Sequence, residues 1–318
     1  MADGEAVLEV IDLRKVYRGK PPVTAVDRLS FGLARGEILG LLGPNGAGKT
    51  TTIQMLLSTL KPTSGEILYF GKSLEHARAE ILAQVGFASA YSRLPRRLTV
   101  AENLDVFGRL HGLDRRERAK RVDELLERFG ADDLRKRTME GLSAGQTTRV
   151  TLAKAFLARP KVALLDEPTA SLDPDIAVEV RDFVREQRQA EGVSIVFTSH
   201  NMEEVARVCD RVVFLNHGRI AGSGTPEVLA GSAAATRLRL RMTDGLELVV
   251  DHARGLGLPV TVDHDQIQIE LDERDLARFL SAIATLGVDY HEITFQKPTL
   301  EDYFLKLSRQ AAPDGSPS

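Results

Sequence analysis

The sequence predicts an α/β fold with a mostly parallel central sheet, followed by a small C-terminal α+β domain. Three observations carry that expectation. The apolar run Leu39-Gly40-Leu41-Leu42 breaks into a loop carrying Gly43, Gly46 and Gly48, and from Thr51 a helical pattern follows with Ile53, Leu56, Leu57 and Leu60. Between Val150 and Leu215, helical stretches alternate with short β-branched runs, which argues for parallel strands covered on both faces. Near Gly231 the texture changes, and alternation of the kind Leu238, Leu240, Met242 takes over.

In chain order, residues 5 to 18 alternate as one or two strands, and Leu29 to Leu33 and Ile38 to Leu42 continue as strands. Lys61-Pro62-Thr63-Ser64-Gly65 breaks the first helix, and Glu66 to Phe70 returns as a strand. From Thr99 to Arg137 the pattern is helical with both signs of charge mixed, the signature of a solvated face rather than of a basic phosphate patch. Val150 to Ala158, Asp175 to Gln189 and Met202 to Val208 are expected as helices. Val162 to Leu165, Val193 to Thr198 and Val212 to Leu215 are expected as strands, with a hairpin at Asn216-His217-Gly218. Gly231 to Ala235 is expected as a linker. Thr236 to Met242 should turn at Thr243-Asp244-Gly245 into a second strand from Leu246 to Val250, followed by strands at Val260 to Val262 and Ile267 to Leu271. A helix from Glu273 to Leu286, a strand to Phe295 and a capping box at Thr299 to Asp302 complete the second domain; the tail from Ala311 to Ser318 is expected to be disordered.

Composition narrows the function. The net charge of −3, from 42 basic and 45 acidic residues, exerts no overall pull toward nucleic acid or anionic lipid, so no nucleic-acid partner is expected. The single cysteine, Cys209, excludes an internal disulfide and a cysteine zinc cluster, and fits a reducing, cytoplasmic setting. No apolar run approaches the roughly 18 residues of a membrane span and no signal peptide is apparent, so any work at a membrane goes through a partner.

The stretch Gly43-Pro44-Asn45-Gly46-Ala47-Gly48-Lys49-Thr50-Thr51 fits G-x-x-x-x-G-K-T at every position, in the strand-to-helix setting that a phosphate loop needs. Its glycines let backbone N–H groups close around a phosphate, and the helix N-terminus adds partial positive charge. Lys49 then reaches the β- and γ-phosphates, and Thr50 offers its hydroxyl to Mg²⁺. Farther on, the buried strand Val162 to Leu165 delivers Asp166 and Glu167 to the edge of the sheet, Asp166 to hold Mg²⁺ directly or through water and Glu167 to polarise an attacking water. Leu142-Ser143-Ala144-Gly145-Gln146 precedes a helix expected near Thr147 and offers a second anion site, one that the chain's own nucleotide does not need.

These motifs together, with Pro168-Thr169-Ala170-Ser171-Leu172-Asp173 and Ser199-His200, resemble the nucleotide-binding subunit of an ABC transporter over residues 5 to 230. The resemblance implies a P-loop NTPase that hydrolyses ATP with Mg²⁺, with an N-terminal antiparallel β subdomain and a helical signature subdomain. It implies a head-to-tail homodimer in which Ser143, Gly145 and Gln146 meet the partner's nucleotide and Ser171 to Asp173 cross the interface. His200 would bond the γ-phosphate and hold water with Glu167. Tyr17, twenty-six positions before Gly43, stands where the family keeps an adenine-stacking aromatic; a plain strand-edge tyrosine is the alternative.

The family puts a glutamine at the position of Ala90, so the metal contact and the report to the membrane subunit that this glutamine provides are absent by that route. Residues 236 to 310, ending in Gln296-Lys297-Pro298-Thr299-Leu300-Glu301-Asp302-Tyr303-Phe304, resemble the accessory domain of drug-export ATPases, as a dimer-stabilising appendage or a ligand-binding one. The implied function is the motor of an exporter, peripheral on the inner face of the cell membrane, driving a separately encoded transmembrane permease. The alternative is a soluble ABC-type ATPase acting on a protein complex.

Overall fold

A computed structural model describes residues 6–89, 94–170, 172–233 and 235–310. Ala90, Ser171 and the tail 311–318 lie outside them. The chain divides into two compact units, Met1–Pro226 and Glu227–Ser318.

The first unit opens with β1 (Ala6–Tyr17), one long strand with bulges, paired antiparallel to β2 (Val23–Ala34). Then β3 (Ile38–Leu42) leads into α1 (Lys49–Leu56), which begins earlier than Thr51 and ends before Leu57 and Leu60. With β4 (Ser64–Tyr69) and β5 (Lys72–Ser73) the antiparallel sheet closes in the order β2-β1-β4-β5. The chain continues through α2 (Arg78–Leu82), β6 (Val85–Ser89), α3 (Val100–Leu110), α4 (Arg115–Arg128), α5 (Ala144–Phe156) and β7 (Val162–Asp166). It then runs through α6 (Pro174–Glu191), β8 (Ser194–Thr198), α7 (Met202–Val208), β9 (Arg211–Asn216) and β10 (Arg219–Gly224). The central sheet has the order β10-β9-β3-β8-β7-β6 and is parallel except for the hairpin strand β10.

Burial on both faces explains the continuous apolar runs: every residue of β3, β7 and β8 is buried. Leu8, Leu33, Ile53, Leu56 and Leu164 belong to one core that joins the antiparallel sheet and α1 to the central sheet. Elsewhere in the unit Phe183 of α6 packs against Phe129 and Phe156, with ring centroids 4.4 and 4.9 Å apart. Thr99 and Glu102 form a capping box at the start of α3, and Asp114 caps α4. Buried Arg121 of α4 donates to the carbonyls of Phe156 (2.9 Å) and Leu157 (3.3 Å), satisfying the C-terminal end of α5.

In the second unit, α8 (Pro226–Ala233) includes Gly231, Ser232 and Ala233, so most of the stretch expected as a linker is the last turn of a helix. β11 (Thr236–Asp244) is followed by α9 (Leu246–Gly255), not by the expected second strand. The physical reason is the spacing of Leu246, Val249, Val250 and Ala253, which puts four apolar side chains on one helical face; three of them are buried. β12 (Val260–Asp263), β13 (Gln266–Leu271), α10 (Leu276–Thr285), β14 (Asp289–Gln296) and α11 (Leu300–Gln310) complete the unit, with the antiparallel order β12-β13-β11-β14. Leu238, Leu240, Ile267 and Ile269 of the sheet pack with Val249 of α9 and Phe279 and Ile283 of α10. The capping box of Thr299 and Asp302 opens α11.

Lys154 of α5 carries a largely buried charge. Its Nζ sits 5.5 and 5.4 Å from the ring centroids of Phe87 and Phe107, with no carboxylate partner among the described residues, and burial pushes the ammonium down to about 8 from 10.5. Below pH 8 the lysine is charged in both folded and unfolded chains, and the fold carries the whole desolvation cost. Between pH 8 and 10.5 the folded chain gives up its proton first and stability rises with pH. Replacing it with methionine, Lys154→Met, is expected to stabilise the protein at pH 7 by about 1–2 kcal/mol, the cost of the buried charge discounted for its partial exposure. Thermal melts at pH 7 and 10 check this: the gain should shrink at the higher pH.

Candidate nucleotide site

The loop between β3 and α1 is held open by close backbone approaches. A Cβ on Gly43 (φ 148°) would lie 2.3 Å from the Leu215 carbonyl oxygen, and one on Gly48 (φ 102°) 2.6 Å from that of Ala25, so no larger residue fits at either point. Gly218 N–H donates to the Ala47 carbonyl at 3.1 Å, tying the β9–β10 turn to the loop. Pro44, Asn45 and Gly46 form the outer lip, with nothing within 4 Å of a Cβ built on Gly46. Inside, Lys49 is buried and donates to the carbonyls of Gly43 (2.6 Å) and Pro44 (3.3 Å). Burial lowers its pKa, and the nearby Glu167 and Asp166 charges oppose that. The N-terminus of α1 has no side-chain cap and no acidic residue in its first turn, which leaves its N–H groups for an anion. Thr50 is exposed at that end, Thr51 half-buried behind it. These features fit a polyphosphate.

Both carboxylates stand at the end of one parallel strand, β7, flanked by the ends of β6 and β8. The register sets Ser89, Asp166 and Thr198 side by side across β6, β7 and β8. Thr198 Oγ1 donates to Asp166 Oδ1 (2.7 Å) and accepts the Glu167 N–H (2.9 Å). Burial raises the Asp166 pKa; the hydrogen bonds from Thr198 and Ser89 and the Lys49 charge act against this, and Glu167 acts with it. Glu167 has φ 53°, a left-handed conformation that costs a non-glycine residue about 1 kcal/mol or more. That turn aims its side chain at His200, whose Nδ1 lies 2.6 Å from Glu167 Oε2. Glu167 is mostly buried while His200 is 70% exposed, so the pair faces outward. No group of three or more His, Cys, Asp or Glu among the described residues could hold a metal alone. Asp166 with Thr50 suits Mg²⁺, which keeps waters and takes phosphate oxygens with one or two protein ligands.

Ser143, Gly145 and Gln146 are not brought to this cluster. Ser143 caps α5, which begins at Ala144 rather than near Thr147, in a reciprocal box with Gln146 (3.2 and 3.0 Å). A Cβ on Gly145 would lie 3.5 Å from Ile176 and 3.7 Å from Leu172, beside the start of α6, where Asp173 is an exposed N-cap residue making no side-chain cap bond. No hydrogen bond or ion pair among the described residues links Ser143, Gly145 or Gln146 to Lys49, Asp166, Glu167 or His200. Tyr17 is 40% exposed at the end of β1, opposite the exposed Val23, two residues before the Ala25 carbonyl that touches Gly48. The Ala90 position lies outside the described residues. Gln84 stands at the other end of β6, bonded to the Glu80 carbonyl, too far along the strand to replace a glutamine there. Sequence reasoning passed over Thr198, although its place before Ser199-His200 at the end of a parallel strand was a usable signal.

The match to the ABC transporter family model spans residues 26–170, from β2 through the strand that ends in Asp166. The chain belongs to the ATP-binding proteins of ABC transporters, the ATP-hydrolysing P-loop subunits of that family. Among its relatives is daunorubicin resistance ATP-binding protein DrrA3 of Streptomyces coeruleorubidus, 33% identical over 89% of this chain and 91% of the relative. Nod factor export ATP-binding protein I of Rhizobium meliloti is 32% identical over 96% of this chain and 89% of the relative. A solved ATP-binding subunit of an ABC transporter superposes with a TM-score of 0.65 at 30% identity, over 70% of this chain and 91% of that one.

Because burial raises its pKa, Asp166 is protonated in both folded and unfolded chains below 3.8, and stability is lost as pH rises through its folded value. The nucleotide-free Asp166→Asn protein is therefore expected to melt higher than wild type at pH 7. The difference should narrow as the pH falls toward 3.8, as differential scanning fluorimetry over a pH series will show.

Proposed function

We propose that this chain is the ATP-hydrolysing motor of an export system, closing as a homodimer on two ATP molecules and driving a separately encoded transmembrane permease. The observation that carries this reading is the separation of the phosphate-loop and carboxylate cluster from a second helix start, Ser143 to Gln146, which among the described residues makes no hydrogen bond or ion pair with that cluster. Residues 5–230 serve as the nucleotide-binding domain and 236–310 as an accessory domain. Relatives named for drug resistance and Nod factor export support export as the direction of transport. No helix among the described residues is long and apolar enough to cross a membrane, in keeping with a peripheral subunit on the cytoplasmic face.

In the proposed site Tyr17 stacks on adenine, the backbone of Gly43 to Thr51 wraps the phosphates, and Lys49 exchanges its carbonyl partners for phosphate oxygens. Thr50 and Asp166 would hold Mg²⁺, which supplies charge neutralisation at the β- and γ-phosphates. Glu167 takes the proton of the attacking water. His200, fixed through Nδ1 to Glu167, directs its other nitrogen toward the γ-phosphate. Ser143 and Gly145 of one copy, with Gln146 behind them, close over the γ-phosphate held by the other, and Asp173 lies at the shared boundary. No nucleic acid takes part.

Glu167→Gln should cut turnover at least about 100-fold, the usual worth of a general base, while ATP binding persists. Gel filtration of that variant with ATP should show a dimer; a monomer at saturating ATP would rule out the shared site. Mixing Lys49→Ala and Ser143→Ala subunits should restore hydrolysis at one of the two composite sites, measurable as activity above that of either variant alone. No gain on mixing would place the whole site within one chain.

A further inference from the structure

Glu204, in the first turn of α7, is 4% exposed and belongs to none of the motifs above. Its Oε2 accepts two hydroxyl hydrogen bonds, from Thr169 Oγ1 at 2.8 Å and from Ser199 Oγ at 2.7 Å. Thr169 lies two residues after Glu167, and Ser199 immediately precedes His200, so one carboxylate oxygen joins the two loops that carry the facing pair. Ser199 Oγ also accepts the Asn201 N–H at 3.0 Å, and Asn201 Oδ1 accepts the Glu204 N–H at 3.0 Å, which closes the His200 loop around the same group. Oε1 has no hydrogen-bond partner among the described residues and faces Arg181 Nη1 of α6 at 3.7 Å. Thr169 also stands at the head of the segment running to Asp173, the N-cap of α6.

We infer that Glu204 is a positioning residue: resting on the ATP-hydrolysing reading above, it locks His200 and Glu167 in their mutual geometry and ties both to the segment ending at Asp173. The chemistry requires a carboxylate. A glutamine at 204 has one acceptor oxygen and one NH₂ group, and the NH₂ must face either the Arg181 guanidinium or the two hydroxyls. In the first case it meets a cation, and in the second both hydroxyls lose their acceptor. Either arrangement loosens the loops, whereas the phosphate loop, on β3 and α1, is untouched. Loss of Glu204 therefore lowers kcat and leaves nucleotide affinity in place.

The test compares full-length wild type, Glu204→Gln, Ser199→Ala, Thr169→Val, His200→Ala and the double variant Glu204→Gln with His200→Ala, by steady-state ATP hydrolysis and by binding of a fluorescent ATP analogue. Glu204→Gln is expected to lower kcat about tenfold or more with KM and analogue affinity within about twofold, a split that marks loss of transition-state rather than ground-state interactions. Ser199→Ala and Thr169→Val should each lower kcat in the same way. In the His200→Ala background, Glu204→Gln should cost little more, because residues acting through one another are not additive. If wild type hydrolyses no ATP, the motor reading itself fails. If wild type is active and Glu204→Gln keeps its kcat, or loses activity in full proportion on top of His200→Ala, the positioning role is overturned. Should Glu204→Gln not fold, unchanged kcat in both Ser199→Ala and Thr169→Val overturns it equally.

Discussion

The register between two neighbouring parallel strands is the constraint on which the site depends. Because Asp166 of β7 pairs with Thr198 of β8, a single hydroxyl at the strand end can donate to the Asp166 carboxylate while accepting the next backbone N–H. That hydroxyl fixes the point at which the chain leaves β7, and Glu167 then turns through a left-handed conformation that brings it to His200. A slip of one residue in a parallel ladder would turn Asp166 to the other face and break all three contacts together. Every residue of β3, β7 and β8 is buried, so the strands that carry this register are sealed from water on both faces.

Most of this was legible in the sequence where local chemistry and long-range packing agree. The glycine loop, the β7 run ending in two acids and the parallel strands around them are each specified by residues within a short window, and they fold as expected. Legibility failed where the window was ambiguous. Leu246 to Val250 is apolar enough for a strand, and only Ala253, one turn farther along, shows the helical period that α9 adopts. Gly231 and Ser232 are residues of linkers, yet the preceding Leu229 and Ala230 are buried and carry the helix through them. Glu204 was illegible for a different reason: its partner Thr169 is 35 residues distant, and an acid in a first helical turn has an ordinary local role.

The family resemblance and the geometry also contributed different things. The motifs alone could align Ser143 to Gln146 with an anion site, but the structure adds that this helix start is satisfied by its own capping box and stands apart from the cluster around Lys49. Gly145 lies beside Leu172 and Ile176, so the two segments expected to meet another copy are neighbours in the first unit.

Lys49 has a further consequence for how a nucleotide enters. Its ammonium is already out of water, and the carbonyls of Gly43 and Pro44 already hold it in place. In the proposed site an arriving phosphate would neither strip water from the lysine nor order a free side chain; it would replace two neutral acceptors with charged oxygens, which bind an ammonium more strongly. The loop is preorganised around its lysine: the carbonyls that hold the ammonium in place are the acceptors that phosphate oxygens would replace in the proposed site. Most of the ordering entropy of this side chain is met during folding, when the chain as a whole is being fixed, so discrimination between polyphosphates and other anions in the proposed site would rest on how completely the incoming oxygens replace those two carbonyls.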